Sequence, residues 1–238
     1  PWHSVPHAKV SSRVSGSRRF VAQTWSYERI RAVGKALGGT LNDAVLAMCA
    51  GGLRRYMDQM GEMPTKPLKA MVPVSLRVEG DLKSSNAVGM ISANLATHLS
   101  DPAERFANIR ASVLAGKDVY SGLSAGEAAL VTQLTSSPMV ITTLLGLGEK
   151  LPAYNLVISN VPGPRNHLYW NGAQLQGIYP ASIVLHGQAL NITLVSYAGQ
   201  LDFGIIACRR SLPHVQRLLD HLEESLRELE EAAGIEAD

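Results

Sequence analysis

The sequence predicts an α/β fold on a mixed sheet, and three observations predict it. Strand-like and helix-like periodicities interleave from one end of the chain to the other instead of segregating into blocks. Two long apolar runs, 190–198 and 201–208, face each other across Gly199-Gln200, a pair suited to a tight antiparallel hairpin. The length of 238 residues, 46% of them hydrophobic, suffices to bury a core without disulfide staples. No internal repeat is visible.

Taken in order, residues 1–19 are polar and basic, with Pro1, Pro6, Gly16 and several serines, and read as a linker or crossover. Residues 20–26 read as a strand, followed by a short helix ending at Gly38-Gly39. Thr40-Leu41-Asn42-Asp43 then opens a strong helix, since Thr40 and Asp43 have capping-box spacing and Leu41, Val45, Met48, Leu53 and Tyr56 share a face. Two strands are expected at 68–76 and 88–97, a helix starting at Asp101-Pro102, and two further helices at 125–134 and 139–147, separated at Pro138. Extended segments follow at 154–160, 168–178, 182–185, 190–198 and 201–208. A closing amphipathic helix from Pro213 carries Leu218, Leu222, Leu226 and Leu229 inward.

The charge balance is nearly neutral, 22 Lys+Arg against 20 Asp+Glu, which argues against a nucleic-acid tail and against disorder. Charged residues make up 18%, below the roughly 25% of ordinary domains, and the deficit is uneven. Between Ala128 and Leu201 the only charges are Glu149, Lys150 and Arg165. The inner strands of a sheet covered on both faces require such a charge-free stretch. The ends of the chain are oppositely charged, basic at the N-terminus and acidic after Arg217.

Several chemistries find no support. Gly122-Leu123-Ser124-Ala125-Gly126 fits G-x-S-x-G, but a nucleophile elbow needs a strand entering the turn, and here a helix enters. His3 and His7 have helical spacing but Pro6 between them and no third ligand, so no metal site is expected. Cys49 and Cys208 each lie in an apolar run and read as reduced core thiols, with a bridge between them left open.

Three segments stand out: the capped Thr-Leu-Asn-Asp helix start, Met71-Val-Pro-Val-Ser-Leu-Arg77, and Asn155-Leu-Val-Ile-Ser-Asn-Val-Pro-Gly-Pro164. In this order, together with Tyr179-Pro180 and His186-Gly187-Gln188-Ala189-Leu190, the chain from about Phe20 to Leu229 resembles the C-terminal half of bacterial wax ester synthases/diacylglycerol acyltransferases. Asn42-Asp43 matches that family's Asn-Asp motif, and Ser159-Asn160-Val161-Pro162-Gly163-Pro164 its Asn-Val-Pro motif.

The resemblance implies one lobe of a two-lobed chloramphenicol-acetyltransferase-like fold, with residues 1–19 crossing over from an N-terminal lobe and 20–238 forming the C-terminal acyltransferase lobe. It implies transfer of a fatty acyl group from acyl-CoA, a substrate and not a cofactor, to a long-chain alcohol or diacylglycerol. The catalytic His-His-x-x-x-Asp-Gly belongs to the other lobe; this chain has no adjacent His pair, and no catalytic residue is expected in it. Asn42, Asp43, Ser159, Asn160, Pro162 and Gly163 are the motif residues, with Asn42 and Asn160 the candidates for polar positioning and Asp43 a cap. Arg77, Lys83 and Arg165 are the candidates for CoA phosphates. Met139, Ile141, Leu144 and Gly146 are the candidates for a tunnel wall; burying about 14 methylenes at roughly 0.8 kcal/mol each supplies about 11 kcal/mol of gross binding. The expected partners are the N-terminal lobe and the lipid substrates, with no nucleic acid. The expected location is cytoplasmic, with no more than peripheral contact with the inner membrane or lipid inclusions. Two alternatives stay open: a non-catalytic lipid-binding lobe, and a condensation-type enzyme fed by a carrier protein.

Overall fold

In the computed structural model, which describes residues 5–75 and 88–235, a six-stranded mixed sheet runs β1-β8-β7-β4-β2-β3. Edge strand β1 (Arg18–Ser26) pairs antiparallel with β8 (Gln200–Cys208), and β8 with β7 (Leu190–Tyr197). β7 and β4 (Leu156–Val161) are parallel, as are β4 and β2 (Lys69–Ser75), while β2 pairs antiparallel with β3 (Val88–Asn94). A small separate hairpin, β5 (Tyr169–Trp170) with β6 (Ala173–Gln174), stands apart.

The helices form where their caps and apolar stripes dictate. Ser26 caps α1 (Tyr27–Ala36) by accepting from Arg29 N–H. Thr40 and Asp43 form the expected capping box of α2 (Leu41–Gln59), whose residues from Asp43 to Leu53 are all buried. Asp101 caps α3 (Pro102–Asp118), and α5 (Arg217–Ala232) lays Leu218, Leu222, Leu226 and Leu229 into the core shared with α2. The β7–β8 turn is Ala198-Gly199, both at positive φ (46° and 84°), the type I′ geometry that matches strand twist.

Three expectations are corrected. The two helices expected at 125–134 and 139–147 are one, α4 (Ala125–Leu144), which runs through Pro138. Proline removes the donor that would reach the Leu134 carbonyl, and the Ser137 hydroxyl supplies one instead at 2.8 Å, so the helix continues. The extended runs expected at 168–178 and 182–185 form no long strands; they yield the β5–β6 hairpin and one bridge, Leu185–Gln188. Their backbone is tied to side chains, as where Asp202 accepts Ile178 N–H at 2.7 Å, and not to a ladder. The closing helix begins at Arg217 and not at Pro213, because His214 sits at φ 56° and breaks the helical path.

The segment expected as linker is built into the fold. Residues 5–17 strap the end of the sheet where β4 and β7 begin: Asn155, wholly buried, donates to the Pro6 carbonyl and to Ser11 Oγ, and Ala189 N–H bonds the Val10 carbonyl. Val10 is itself fully buried. Cys49 and Cys208 are both buried and free. Among the described residues no single helix is long and apolar enough to cross a membrane.

Candidate functional site

The sheet opens between β2 and β4. Their parallel pairing covers only Ala70–Leu156 and Met71–Val157; beyond it β2 stays with β3 and β4 stays with β7. Pro73 explains the opening. Its partner Met90 turns both backbone groups outward to the Tyr120 hydroxyl, N–H at 3.1 Å and C=O at 2.9 Å, so Pro73 and Met90 are a non-hydrogen-bonded pair. The Pro73 nitrogen therefore points toward β4, where it has no hydrogen to donate, and the ladder stops. Ser159, Asn160 and Val161 line the wedge that results, at the carboxyl end of the parallel strands, where α/β sheets place ligand contacts.

Strand alternation separates Ser159 from Asn160. Ser159 is in register with Thr193, on the face where Thr193 donates to buried Asn191 at 2.7 Å. Asn160 is in register with Leu194, and Leu194 with Phe203, whose ring meets Trp25 edge-on on the side covered by α5. Asn160 thus faces the helical layer to which α2 belongs. Asn42 and Asn160 are both half-buried and neither side chain is hydrogen-bonded among the described residues; no bond joins them. Asp43 differs. Its carboxylate accepts from Thr40 N–H and Thr40 Oγ1, each at 2.8 Å, which makes it the cap of α2.

After β4 the chain is held against β7. Gly163 N–H donates to Ser196 Oγ at 3.0 Å, and a Cβ on Gly163 would collide with the Ser196 carbonyl. Pro164 accepts from Ala198 N–H at 3.1 Å. Pro162, Gly163, Pro164 and Arg165 line a surface cavity of about 490 Å³ with Tyr27, Arg31 and Gly199. Arg31 is bound to Glu28 at 2.8 Å, whereas Arg165 is exposed and makes no ion pair among the described residues. Arg77 and Lys83 lie outside the described residues.

The tunnel candidates spread around α4. Met139 is half-buried and its sulfur accepts from buried Gln188 at 3.3 Å. Ile141 lines a pocket of about 390 Å³ with Val5, His7, Pro138, Lys150 and Leu151. Leu144 points outward and is 81% exposed. Gly146, at φ 68°, ends the helix, with Leu147 N–H bonding Thr142 C=O and Gly146 N–H bonding Thr143 C=O, and the space where a Cβ would stand is open. Gly148, by contrast, leaves no room, since a Cβ there would meet the His186 carbonyl.

The charge-poor stretch divides in two. Its later part, β7, is interior strand. Its earlier part is surface: of the eighteen large apolar side chains exposed among the described residues, fourteen lie between Leu130 and Ile183, Trp170 at 87% among them. On α4 the hydroxyls of Thr132, Thr135, Ser137 and Thr142 all bond back to carbonyls of their own helix. Leu130, Leu134, Ile141, Leu144 and Leu145 consequently form an outward stripe with no charge in it. Ser124 of the G-x-S-x-G match is the N-cap of α4, hydrogen-bonded to Glu127 at 2.6 Å in a helix-to-helix loop, and no nucleophile elbow exists there.

Two buried polar anchors escaped the sequence reading. Asn155 clamps the strap as described, and Asp202, fully buried, accepts from Thr24 Oγ1 at 2.6 Å and Ile178 N–H, pinning residues 177–180 over the sheet. Each lies inside an apolar run, the pattern that signals a satisfied interior group, but their partners are 24 to 178 residues away.

A model of the WS/DGAT C-terminal domain matches residues 84–230, and one of the wax ester synthase/diacylglycerol acyltransferase catalytic domain matches residues 2–45. A putative diacylglycerol O-acyltransferase of Mycobacterium tuberculosis is 53% identical over 97% of this chain and 52% of its own length. The O-acyltransferase WSD of Acinetobacter baylyi is 48% identical over 94% of this chain and 48% of its own. In structure, a wax ester synthase/diacylglycerol acyltransferase from Marinobacter aquaeolei VT8 superposes with a TM-score of 0.87 at 45% identity, covering 97% of this chain and 53% of that one. The peptide synthetase FmoA3 shares the fold alone, with a TM-score of 0.60 at 15% identity over 95% of this chain and 24% of its own. The chain spans about half the length of the curated relatives it matches. With its capped Asn-Asp helix, its opened β2–β4 wedge and its Asn-Val-Pro strand end, this chain belongs to the wax ester synthase/diacylglycerol acyltransferase family.

Proposed function

We propose that this chain is the C-terminal half of an O-acyltransferase that moves a fatty acyl group from acyl-CoA to a long-chain alcohol or a diacylglycerol. The observation that carries the reading is the exposed, charge-free apolar face centred on α4, on a chain half as long as its relatives. Such a face suits a second lobe and long aliphatic substrates enclosed between the two. A pocket at Ile141 and Leu151 lies on this flank, with His7, Thr142 and Lys150 the polar residues of its lining.

In the reaction the alcohol oxygen attacks the thioester carbonyl and gives its proton to a base of the N-terminal lobe. The tetrahedral intermediate then breaks its C–S bond and the CoA thiolate recovers a proton, leaving a neutral ester. This chain's part is to position. The amides of Asn42 and Asn160 have donors and acceptors free among the described residues, Asp43 holds the α2 end rigid, and Arg165 supplies a guanidinium for phosphate. General-base help is worth roughly 10²- to 10⁴-fold, so a lobe without the base should be nearly inert.

The test measures ester formation from palmitoyl-CoA with hexadecanol or dioleoylglycerol, using this chain alone and the two-lobed protein. The chain alone should stay at background while the two-lobed protein forms wax ester or triacylglycerol. A two-lobed protein that binds acyl chains without transferring them, or that accepts the acyl group solely from a carrier protein's phosphopantetheine arm, overturns the reading.

A further inference from the structure

Pairing of β1 with β8 gathers two basic segments that lie nearly 200 residues apart. Arg18 is opposite Cys208 and Arg19 opposite Ala207, Arg209 N–H bonds the Ser17 carbonyl, and the Ser211 hydroxyl bonds the Arg13 carbonyl. Arg13, Arg18, Arg19, Arg209, Arg210 and Arg217 therefore share one corner of the molecule, and all six are exposed. No Asp or Glu occurs from Val10 to Tyr27 or from Phe203 to Leu219, and none of the six makes an ion pair among the described residues. On a chain whose formal net charge is +2, this is a segregated patch. The acids that balance it lie on α5, where Glu223 and Glu230 are occupied by Arg29.

Its position separates it from the acyl-transfer site. β8 is antiparallel to β7, and β7 is parallel to β4, so Cys208 and Arg209 stand where β4 begins, at the opposite end from Ser159 and Asn160. It is also on the β1 edge, whereas Val5, where the described chain begins, lines a cavity with Met90 and Ile91 of β3 at the other edge.

We propose that this arginine corner docks the enzyme on an anionic phospholipid surface. These guanidiniums meet no carboxylate among the described residues and suit a surface of phosphates, which guanidiniums grip in bidentate fashion, although that of Arg18 also donates to the Ser15 and Ser17 carbonyls. Phe20, 45% exposed on β1, and exposed Pro213 provide apolar contact at the same corner. Phe20 and His214 carry the only aromatic rings of residues 9–20 and 207–217, too few for a base-stacking platform, which disfavours a single-stranded nucleic acid. The choice of lipid rests on the proposed substrate class, and the experiment keeps the two apart.

The two-lobed protein is tested for co-sedimentation with phosphatidylcholine vesicles and with vesicles containing about one-third phosphatidylglycerol. The variant combines Arg18→Gln, Arg19→Gln, Arg209→Gln and Arg210→Gln; Arg110→Gln on α3 is the control, and ester formation from soluble substrates checks folding and chemistry. Expected is binding to the anionic vesicles alone, lost as salt rises to about 0.5 M. Expected also is at least a tenfold weaker binding in the fourfold variant, with ester formation and the Arg110 control unchanged. Equal binding to both vesicle types, an unaffected fourfold variant, an equal loss on Arg110→Gln, or tighter retention of an oligonucleotide than of vesicles overturns the proposal. Loss of ester formation in the wild-type protein would count against the acyl-transfer reading and leave vesicle binding to be judged by itself.

Discussion

Gly163 tolerates no side chain, because the backbone after β4 lies directly on the Ser196 carbonyl and a Cβ would also come within 2.9 Å of Val195 Cγ1. Gly163→Ala should force the Asn-Val-Pro segment away from β7, at about 1–3 kcal/mol of stability. The expected outcome is a lower Tm together with a loss of ester formation in the two-lobed protein; an unchanged Tm would show that the contact yields freely. The two cysteines contrast at the same scale. Burial alone pushes Cys49 up to about 12, so it stays a neutral core thiol. At Cys208 burial also opposes ionisation, but bonds from the Ser211 hydroxyl and from Ser15 N–H and hydroxyl outweigh it and bring the thiol down to about 6. A depressed folded-state pKa stabilises the thiolate. Its contribution is full above the unfolded thiol's range near 9 and disappears as pH falls through about 6. The Tm difference between wild type and Cys208→Ser should therefore widen from pH 6 to pH 9; a constant difference would refute the thiolate.

α4 is a helix with two apolar faces, and each has its own explanation. Ala128, Pro138 and Met139 turn inward, while Leu134, Leu144 and Leu145 point outward on a face that carries no charge. Monomeric proteins rarely leave such a stripe to water. Leu144→Gln with Leu145→Gln should leave the Tm of this chain within about 0.5 kcal/mol of stability, since both side chains are mostly exposed already. The same pair should reduce binding of an apolar dye to the chain alone and lower ester formation in the two-lobed protein. A strong fall in Tm would place these leucines in the core instead. At this scale the sequence was readable where local chemistry decides: the capping box at Thr40 follows from residues adjacent in the chain, as does the β7–β8 hairpin, although its turn falls at Ala198-Gly199, one residue before the expected Gly199-Gln200. It misled where a distant partner or a compensating hydroxyl decides, as at Pro138, where proline signalled a break that Ser137 repairs.

The whole molecule is a sheet with two differently equipped ends and one unfinished side. Its carboxyl end carries the wedge and the family motifs, its opposite end the strap and the arginine corner, and its charge-free flank faces outward. The sequence by itself determined the mixed α/β class, the motif positions, the family likeness and the shortage of charge, because these reside in residue identity and short-range spacing. Only the tertiary structure decided that the charge-poor stretch is half interior and half surface, that Asn160 and not Ser159 faces the helical layer, and that Pro73 opens β4 from β2. It also brought Arg13–Arg19 beside Arg209–Arg217. Pairing register and burial arise between segments far apart in sequence, and a residue's own neighbours in the chain carry no record of which strand will lie beside it.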